Sequence, residues 1–149
     1  MKALETLTSA ERITMLNQHK PGFLNFLGGH IVSLDSEQGT CTFEFKVPLE
    51  YCHSGNIVQG GFVTAMLDAA MAHAVFGCHP SIARLSSMEI STRYEDATRG
   101  EEKLTVIGRV RKLTRSIAFL DGEIFNQQGH ICATAHSVAK ISRDNLSTT

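Results

Sequence analysis

Neither sign of charge dominates this chain. Its 149 residues carry 14 basic and 15 acidic side chains, a net charge of −1. Without a one-signed field, nothing draws the whole chain to nucleic acid or to an anionic membrane. Cysteine is sparse and scattered. Cys41, Cys52, Cys78 and Cys132 form no C-x-x-C pair and no cluster with zinc-ligand spacing. They read as reduced packing thiols, and no metal or other cofactor is expected. Internal repeats and low-complexity segments are missing. The opening residues, MKALETLTSAERITMLNQH, include acidic side chains and lack an apolar core segment, so they do not read as a secretory signal. The longest weakly polar stretch, Ile57 to Cys78, is interrupted by Gln59, Thr64, Asp68 and His73, which makes it a poor membrane span. The expectation is a cytoplasmic protein of one domain, 1–149, with 42% apolar and 19% charged residues.

What is present reads as a short helix, two strands, a long helix and four strands. Thr8 or Ser9 can cap the first helix, and Glu11, three residues after Thr8, suits a capping box. Pro21-Gly22 stops it. Gly29 to Asp35 and Thr40 to Val47 form an expected hairpin. In the second strand Cys41, Phe43, Phe45 and Val47 alternate with Thr42, Glu44 and Lys46. A polar loop, Leu49 to Asn56, follows. Gln59-Gly60-Gly61 then opens FVTAMLDAAMAHAVFG, an Ala-rich helix with apolar residues on nearly every side, hence buried all round. Ser86 to Tyr94, Glu102 to Lys112, Ser116 to Asn126 and His130 to Ser142 are β-rich, and Asp144 to Thr149 reads as a frayed tail. One helix against one antiparallel sheet is an α+β design of two layers. It leaves strand edges and an outer face open, and pairing with further copies is the simplest remedy.

The chemistry concentrates in Tyr51 to Phe76. Two glycines stand at the start of the long helix, where N–H groups are free and the dipole is positive. Glycine lets a ligand oxygen come close, so Gly60 and Gly61 make an oxyanion site. Asp68 lies eight residues on and is the one acidic or basic residue (histidine aside) between Glu50 and Arg84. A carboxylate inside an apolar helix is costly without a partner or a cavity. It is either functional or bonded to neighbouring backbone or hydroxyl groups. At 1.5 Å per residue, Gly60 and Asp68 are about 12 Å apart, too far to meet one carbonyl. Two copies with antiparallel helices would bring the glycine of one to the carboxylate of the other.

The stretch N-I-V-Q-G-G-F-V-T-A-M-L-D-A-A-M resembles the signature of the hotdog-fold acyl-CoA thioesterases, in particular the phenylacetic-acid-degradation type. S-M-E-I-S-T-R-Y, G-R-V-R-K-L-T-R-S-I-A-F-L-D-G-E-I and G-H-I-C-A-T-A are similar to later strands of that family, so the resemblance covers roughly residues 23–142. It implies an antiparallel sheet wrapped around one central helix. It also implies hydrolysis of acyl-CoA thioesters, with CoA present only as part of the substrate, and assembly as a dimer or dimer of dimers, a homotetramer. On this resemblance the Gly60 N–H polarises the thioester carbonyl, and Asp68 activates water or attacks directly. Ser87 holds the water or the carboxylate. Gln59 and Gly61, at the same turn, are expected to bind the substrate, as is Asn56. His53 occupies a position that is usually Asn or Gln in the family, a departure that Asn56 nearby could offset in part. Ser54 stands where proline often follows. Lys112 and Arg115 are the candidates for the CoA phosphates, ahead of Arg84 and Arg93.

Each candidate has a plainer reading. His53 can be a surface or capping residue, and the basic group Arg109, Arg111, Lys112 and Arg115 a solvated strand face, with Arg109 and Arg111 on one side. His73 and His79 read as structural. Phe62, Met66 and Met71 read as core, with an acyl channel as the alternative. Two further readings of the whole chain are a hotdog hydratase or dehydratase, which His53 would serve, and an acyl-CoA-binding module without turnover. The retained glycines and Asp68 favour hydrolysis.

Overall fold

The computed structural model describes residues 4–143; the tail expected at Asp144 to Thr149 lies outside them. Helix α1 (Ser9–His19) opens on the expected capping box. Thr8 Oγ1 accepts from the Glu11 N–H at 3.2 Å, and Glu11 Oε2 accepts from the Thr8 N–H at 2.9 Å. A single extra turn, α2 (Phe23–Phe26), forms where only an apolar run was expected, and it buries Leu24. Strands β1 (Gly29–Asp35) and β2 (Thr40–Phe45) form the hairpin. Its turn is held by Asp35 Oδ1, which accepts from the N–H groups of Glu37 and Gln38 at 3.0 Å. Cys41, Phe43, Phe45 and Val47 are all buried, as the alternation requires.

The expected polar loop contains a small ribbon of its own. After a turn of 3₁₀ helix at Leu49–Tyr51, β3 (Cys52–His53) pairs antiparallel with β4 (Ile57–Val58). Ser54 (φ 49°) and Gly55 (φ 90°) supply the left-handed backbone that so tight a reversal needs. Helix α3 (Gly60–Cys78) follows, and then β5 (Ile82–Tyr94), β6 (Leu104–Leu113), β7 (Ile117–Phe125) and β8 (Ile131–Arg143). Strand β5 begins four residues before the expected Ser86, because its N-terminal part also pairs with β8.

The strands form one six-stranded antiparallel sheet in the order β1-β2-β6-β7-β8-β5, with α3 packed on its inner face. Met66, Leu67 and Met71 of α3 share one core with Phe43, Phe45, Val106 and Ile124. Each such burial is worth about 1.5–3 kcal/mol. Helix and sheet touch backbone to backbone at Gly108, where an added Cβ would lie 2.2 Å from the Ala70 carbonyl oxygen. By length and composition α3 could cross a membrane, yet its buried apolar residues pack into the core beside the sheet.

The helix is not buried all round, however. Gly61, Ala65, Asp68, Ala72 and Phe76 form a stripe at helical spacing that stays partly open. A single sheet covers only one side of a cylinder. The two sheet edges also differ. At β1 the side chain of Asn17 imitates a neighbouring strand: it accepts from the Ile31 N–H at 2.8 Å and donates to the Ile31 carbonyl at 2.9 Å. Among the described residues β5 has no such cover and pairs only with β8, and Met88 on it is exposed. An uncovered edge of 13 residues is a template for another strand.

Candidate active site

The first turn of α3 leaves backbone N–H groups free at the helix start. Gln59 is the N-cap, and its carbonyl accepts from the N–H groups of Phe62 (2.9 Å) and Val63 (3.2 Å). The Gly60 and Gly61 N–H groups precede those bonds and have no acceptor within the helix. Both glycines line an open groove of about 410 Å³ with His53, Tyr94, Glu95 and Asp96. The two glycines have different reasons to be glycine. A Cβ on Gly61 would meet nothing within 4 Å, so its bare face looks into the groove. A Cβ on Gly60 would stand 3.2 Å from the Tyr94 hydroxyl, so Gly60 is small because a tyrosine packs on it.

Two turns further on, Asp68 is half-buried. Its Oδ1 accepts a hydrogen bond from Ser87 Oγ at 2.9 Å. This single contact joins the middle of α3 to the bulge in β5, where register shifts between Ser87 and Glu89. The Asp68–Ser87 pair lies outside the groove that holds Gly60 and Gly61. One chain thus holds the donors at one point of α3 and the carboxylate about 12 Å along it.

His53 is exposed on the ribbon at the groove rim, with Nδ1 3.1 Å from Ser54 Oγ. The Gln59 side chain is exposed and makes no capping bond. Asn56 is engaged elsewhere: its Oδ1 accepts from Arg99 Nη1 and its carbonyl accepts from the Gly100 N–H, both at 2.8 Å. It braces the loop behind the ribbon and does not line the groove.

The basic residues lie on the far face of the sheet. A register shift between Val110 and Lys112 breaks the alternation of β6, so Lys112 sits opposite Phe119 with Nζ 6.0 Å from its ring centre. Arg111 Nε is 3.3 Å from Asp121 Oδ2, and His136 Nδ1 is 2.9 Å from Asp121 Oδ1. Arg115 is exposed in the turn between β6 and β7, and Arg84 and Arg93 are exposed on β5.

His73 is buried, donates Nδ1–H to the Ala69 carbonyl at 2.8 Å, and meets Phe43 edge-on. Burial pushes its pKa below the ordinary value, although the Ala69 carbonyl and Asp68 oppose the shift. Burial likewise lowers His79, with Arg143 adding to the effect. The thiol of Cys41 is pushed far up by burial, the mark of an inert packing group.

Tyr94, Thr64 and Thr92 are polar groups of the site that were not singled out from the sequence. Tyr94 Oη donates to the Gly60 carbonyl at 2.9 Å, Thr64 Oγ1 lies 3.0 Å from Tyr94 Oη, and Thr92 Oγ1 lies 2.9 Å from Thr64 Oγ1. Which strand residue faces which helical turn is a tertiary matter, and no local pattern signals it.

The model of the thioesterase superfamily matches residues 55–133, which contain the glycine turn, Asp68 and Ser87. Solved structures share the fold. The PaaI protein of the phenylacetic acid degradation operon of E. coli superimposes with a TM-score of 0.78 at 20% identity, over 92% of this chain and 94% of that one. Zebrafish thioesterase superfamily member 2 gives 0.77 at 20% identity, over 92% and 100%. A hypothetical thioesterase of Streptococcus pneumoniae, solved with coenzyme A, gives 0.73 at 18% identity, over 83% and 92%. No curated protein matches the chain by sequence.

Proposed function

The chain belongs to the thioesterase superfamily, and on that premise we propose that it hydrolyses acyl-CoA thioesters to free acid and CoA in sites shared between two copies. The observation that carries this reading is the division of the machinery along α3. The glycine amides and the Asp68–Ser87 pair are each well formed in one chain, yet too far apart to act on one carbonyl. Helix α3 runs antiparallel to β5, with Gly60 beside Tyr94 and Asp68 beside Ser87. Two β5 edges paired antiparallel about a twofold near Ile90 would set Tyr94 of one copy opposite Ser87 of the other. Gly60 and Asp68 then converge from different chains, and the open stripe of α3 is covered. The coenzyme A in the structure of the Streptococcus pneumoniae protein supports CoA esters as the substrate class.

In this site the thioester carbonyl oxygen accepts from the Gly60 and Gly61 N–H groups, which stabilise the negative charge that develops on it. Asp68 of the second copy takes a proton from water as the water oxygen bonds to the carbonyl carbon. Collapse of the adduct breaks the C–S bond and releases CoA thiolate, which takes up the proton. Direct attack by Asp68 would give an acyl anhydride that water opens to the same acid, with the same residues in the same places. Ser87 holds one carboxylate oxygen and leaves the other facing the substrate. His53 stands at the rim, within reach of a bound water or acyl group. Lys112 and Arg115 lie away from the glycine groove, and it is the family resemblance that offers their exposed charge to the CoA phosphates.

Mixed oligomers test the shared site. Asp68→Ala removes the carboxylate, and Gly61→Val fills the amide side of the groove from a position where a Cβ meets nothing of its own chain within 4 Å. Each variant alone is expected to be inactive towards acyl-CoA. Refolded together at equal amounts, random pairing makes about half the dimers mixed, each with one intact site, so about a quarter of the native activity returns. No recovery, with mixed oligomers demonstrated, would place each site within one chain.

A further inference from the structure

The two amides of the glycine turn belong to different peptide units, and each unit is held through its own carbonyl. The Gly60 N–H shares a plane with the Gln59 carbonyl, which Phe62 and Val63 bond from inside the helix. The Gly61 N–H shares a plane with the Gly60 carbonyl, and to that carbonyl the Tyr94 hydroxyl donates at 2.9 Å. We propose that Tyr94 is a positioning residue that orients and polarises the Gly61 N–H, making it the second donor of the oxyanion site. The proposal rests on the thioester-hydrolase reading for its effect on rate, but not for the bond itself.

The direction of the hydroxyl chain follows from proton counting. Tyr94 has one hydroxyl proton, and the Gly60 carbonyl, which can only accept, takes it. Thr64 Oγ1, 3.0 Å away, therefore donates to Tyr94. With its own proton used, Thr64 accepts from Thr92 at 2.9 Å. The chain runs one way, Thr92 to Thr64 to Tyr94 to the Gly60 carbonyl. Hydrogen bonds in series strengthen one another, and the last adds to the pull on the peptide unit that ends in the Gly61 N–H. Glycine at 60 is what admits this contact, since a Cβ there would come within 3.2 Å of the Tyr94 oxygen. The tyrosine ring also forms a wall of the groove beside both glycines. Ring and hydroxyl thus have separate uses, and Tyr94→Phe separates them.

The test compares native protein with Tyr94→Phe by two readouts. Kinetics of acyl-CoA hydrolysis should show kcat lower by about 10-fold with KM within about twofold, short of the roughly 10²–10³-fold cost of losing an oxyanion donor outright. In protein labelled with ¹⁵N-glycine, the Gly61 amide resonance should move while distant glycines such as Gly129 stay in place. Thr64→Val, which cuts the chain one link earlier, should shift Gly61 in the same sense by less. A Gly61 resonance unmoved by loss of the hydroxyl overturns the proposal, and so does a rise in KM with kcat unchanged. If native protein turns over no acyl-CoA while Gly61 still moves in Tyr94→Phe, the bond stands and it is the hydrolase reading that falls.

Discussion

Ser87 Oγ donates to Asp68 Oδ1 at 2.9 Å, so the lone carboxylate of α3 is held by the exposed edge strand of the sheet. This relationship makes a graded prediction. Asp68→Asn removes the charge that accepts a proton or attacks, and kcat for acyl-CoA hydrolysis should fall by about 10²-fold or more. Ser87→Ala leaves the carboxylate in place without its anchor, and a smaller loss of about 10-fold is expected. Thiol release followed for both variants checks the order. A Ser87→Ala enzyme as impaired as Asp68→Asn would mean that the serine itself meets the substrate.

The basic residues on the far face of the sheet are predicted to act on binding alone. Arg111 is already paired with Asp121, whereas Lys112 lies over Phe119. Lys112→Ala with Arg115→Ala should raise KM for an acyl-CoA several-fold and leave kcat within about twofold. The difference should shrink in high salt, which screens exposed charges. Equal KM changes with an acyl-pantetheine lacking the nucleotide would dissociate these residues from the phosphates.

Gly108 is predicted to be the least replaceable glycine of the sheet. A Cβ there would come within 2.2 Å of the Ala70 oxygen and 2.5 Å of the Met71 nitrogen, both helix backbone. Neither atom belongs to a side chain that can turn aside. Gly108→Ala should lower the unfolding free energy by at least about 3 kcal/mol, at the upper end for overpacking. Gly61→Ala, whose Cβ meets nothing of its own chain within 4 Å, should cost the fold much less. Urea denaturation of the two variants measures the contrast.

Stability should fall on mild acidification, with His73 as a contributor. Its pKa is lowered in the folded protein, first by burial and then by Lys20, with the Ala69 carbonyl and Asp68 partly offsetting. The unfolded chain therefore binds the proton first. The stabilising effect of a neutral His73 is complete above the ordinary value of 6.5 and is lost as pH falls below it. His79 shifts in the same direction and adds to the slope. Urea midpoints between about pH 7.5 and 5 measure it. His73→Leu should flatten the slope; an unchanged slope would exclude His73 as its source.

The elements were legible in the sequence because their causes are local. Thr8 and Glu11 announce a capping box by spacing alone, and it forms as expected. The alternation from Cys41 to Val47 states which side chains enter the core. Gly60, Gly61 and Asp68 stand out because glycines at a helix start and a charge inside an apolar helix are unusual wherever they occur. The ribbon at Cys52 to Val58 and the turn at Phe23 to Phe26 escaped notice because two-residue strands and four-residue helices are too short to show a period.

Residue type and spacing alone determined the α+β order of elements, the buried alternation and the separation of the glycine amides from Asp68. Only the tertiary structure decided that Ser87 holds the carboxylate, that Tyr94 rests on Gly60, that Asn56 belongs to Arg99, and that Asn17 bonds the edge of β1 at Ile31 while among the described residues β5 has no such partner. These are contacts between residues 14 to 43 positions apart in the chain. The docking of α3 on the sheet sets the Ser87 and Tyr94 contacts, through side-chain volumes and the close backbone approach at Gly108, and no spacing along the sequence records that choice.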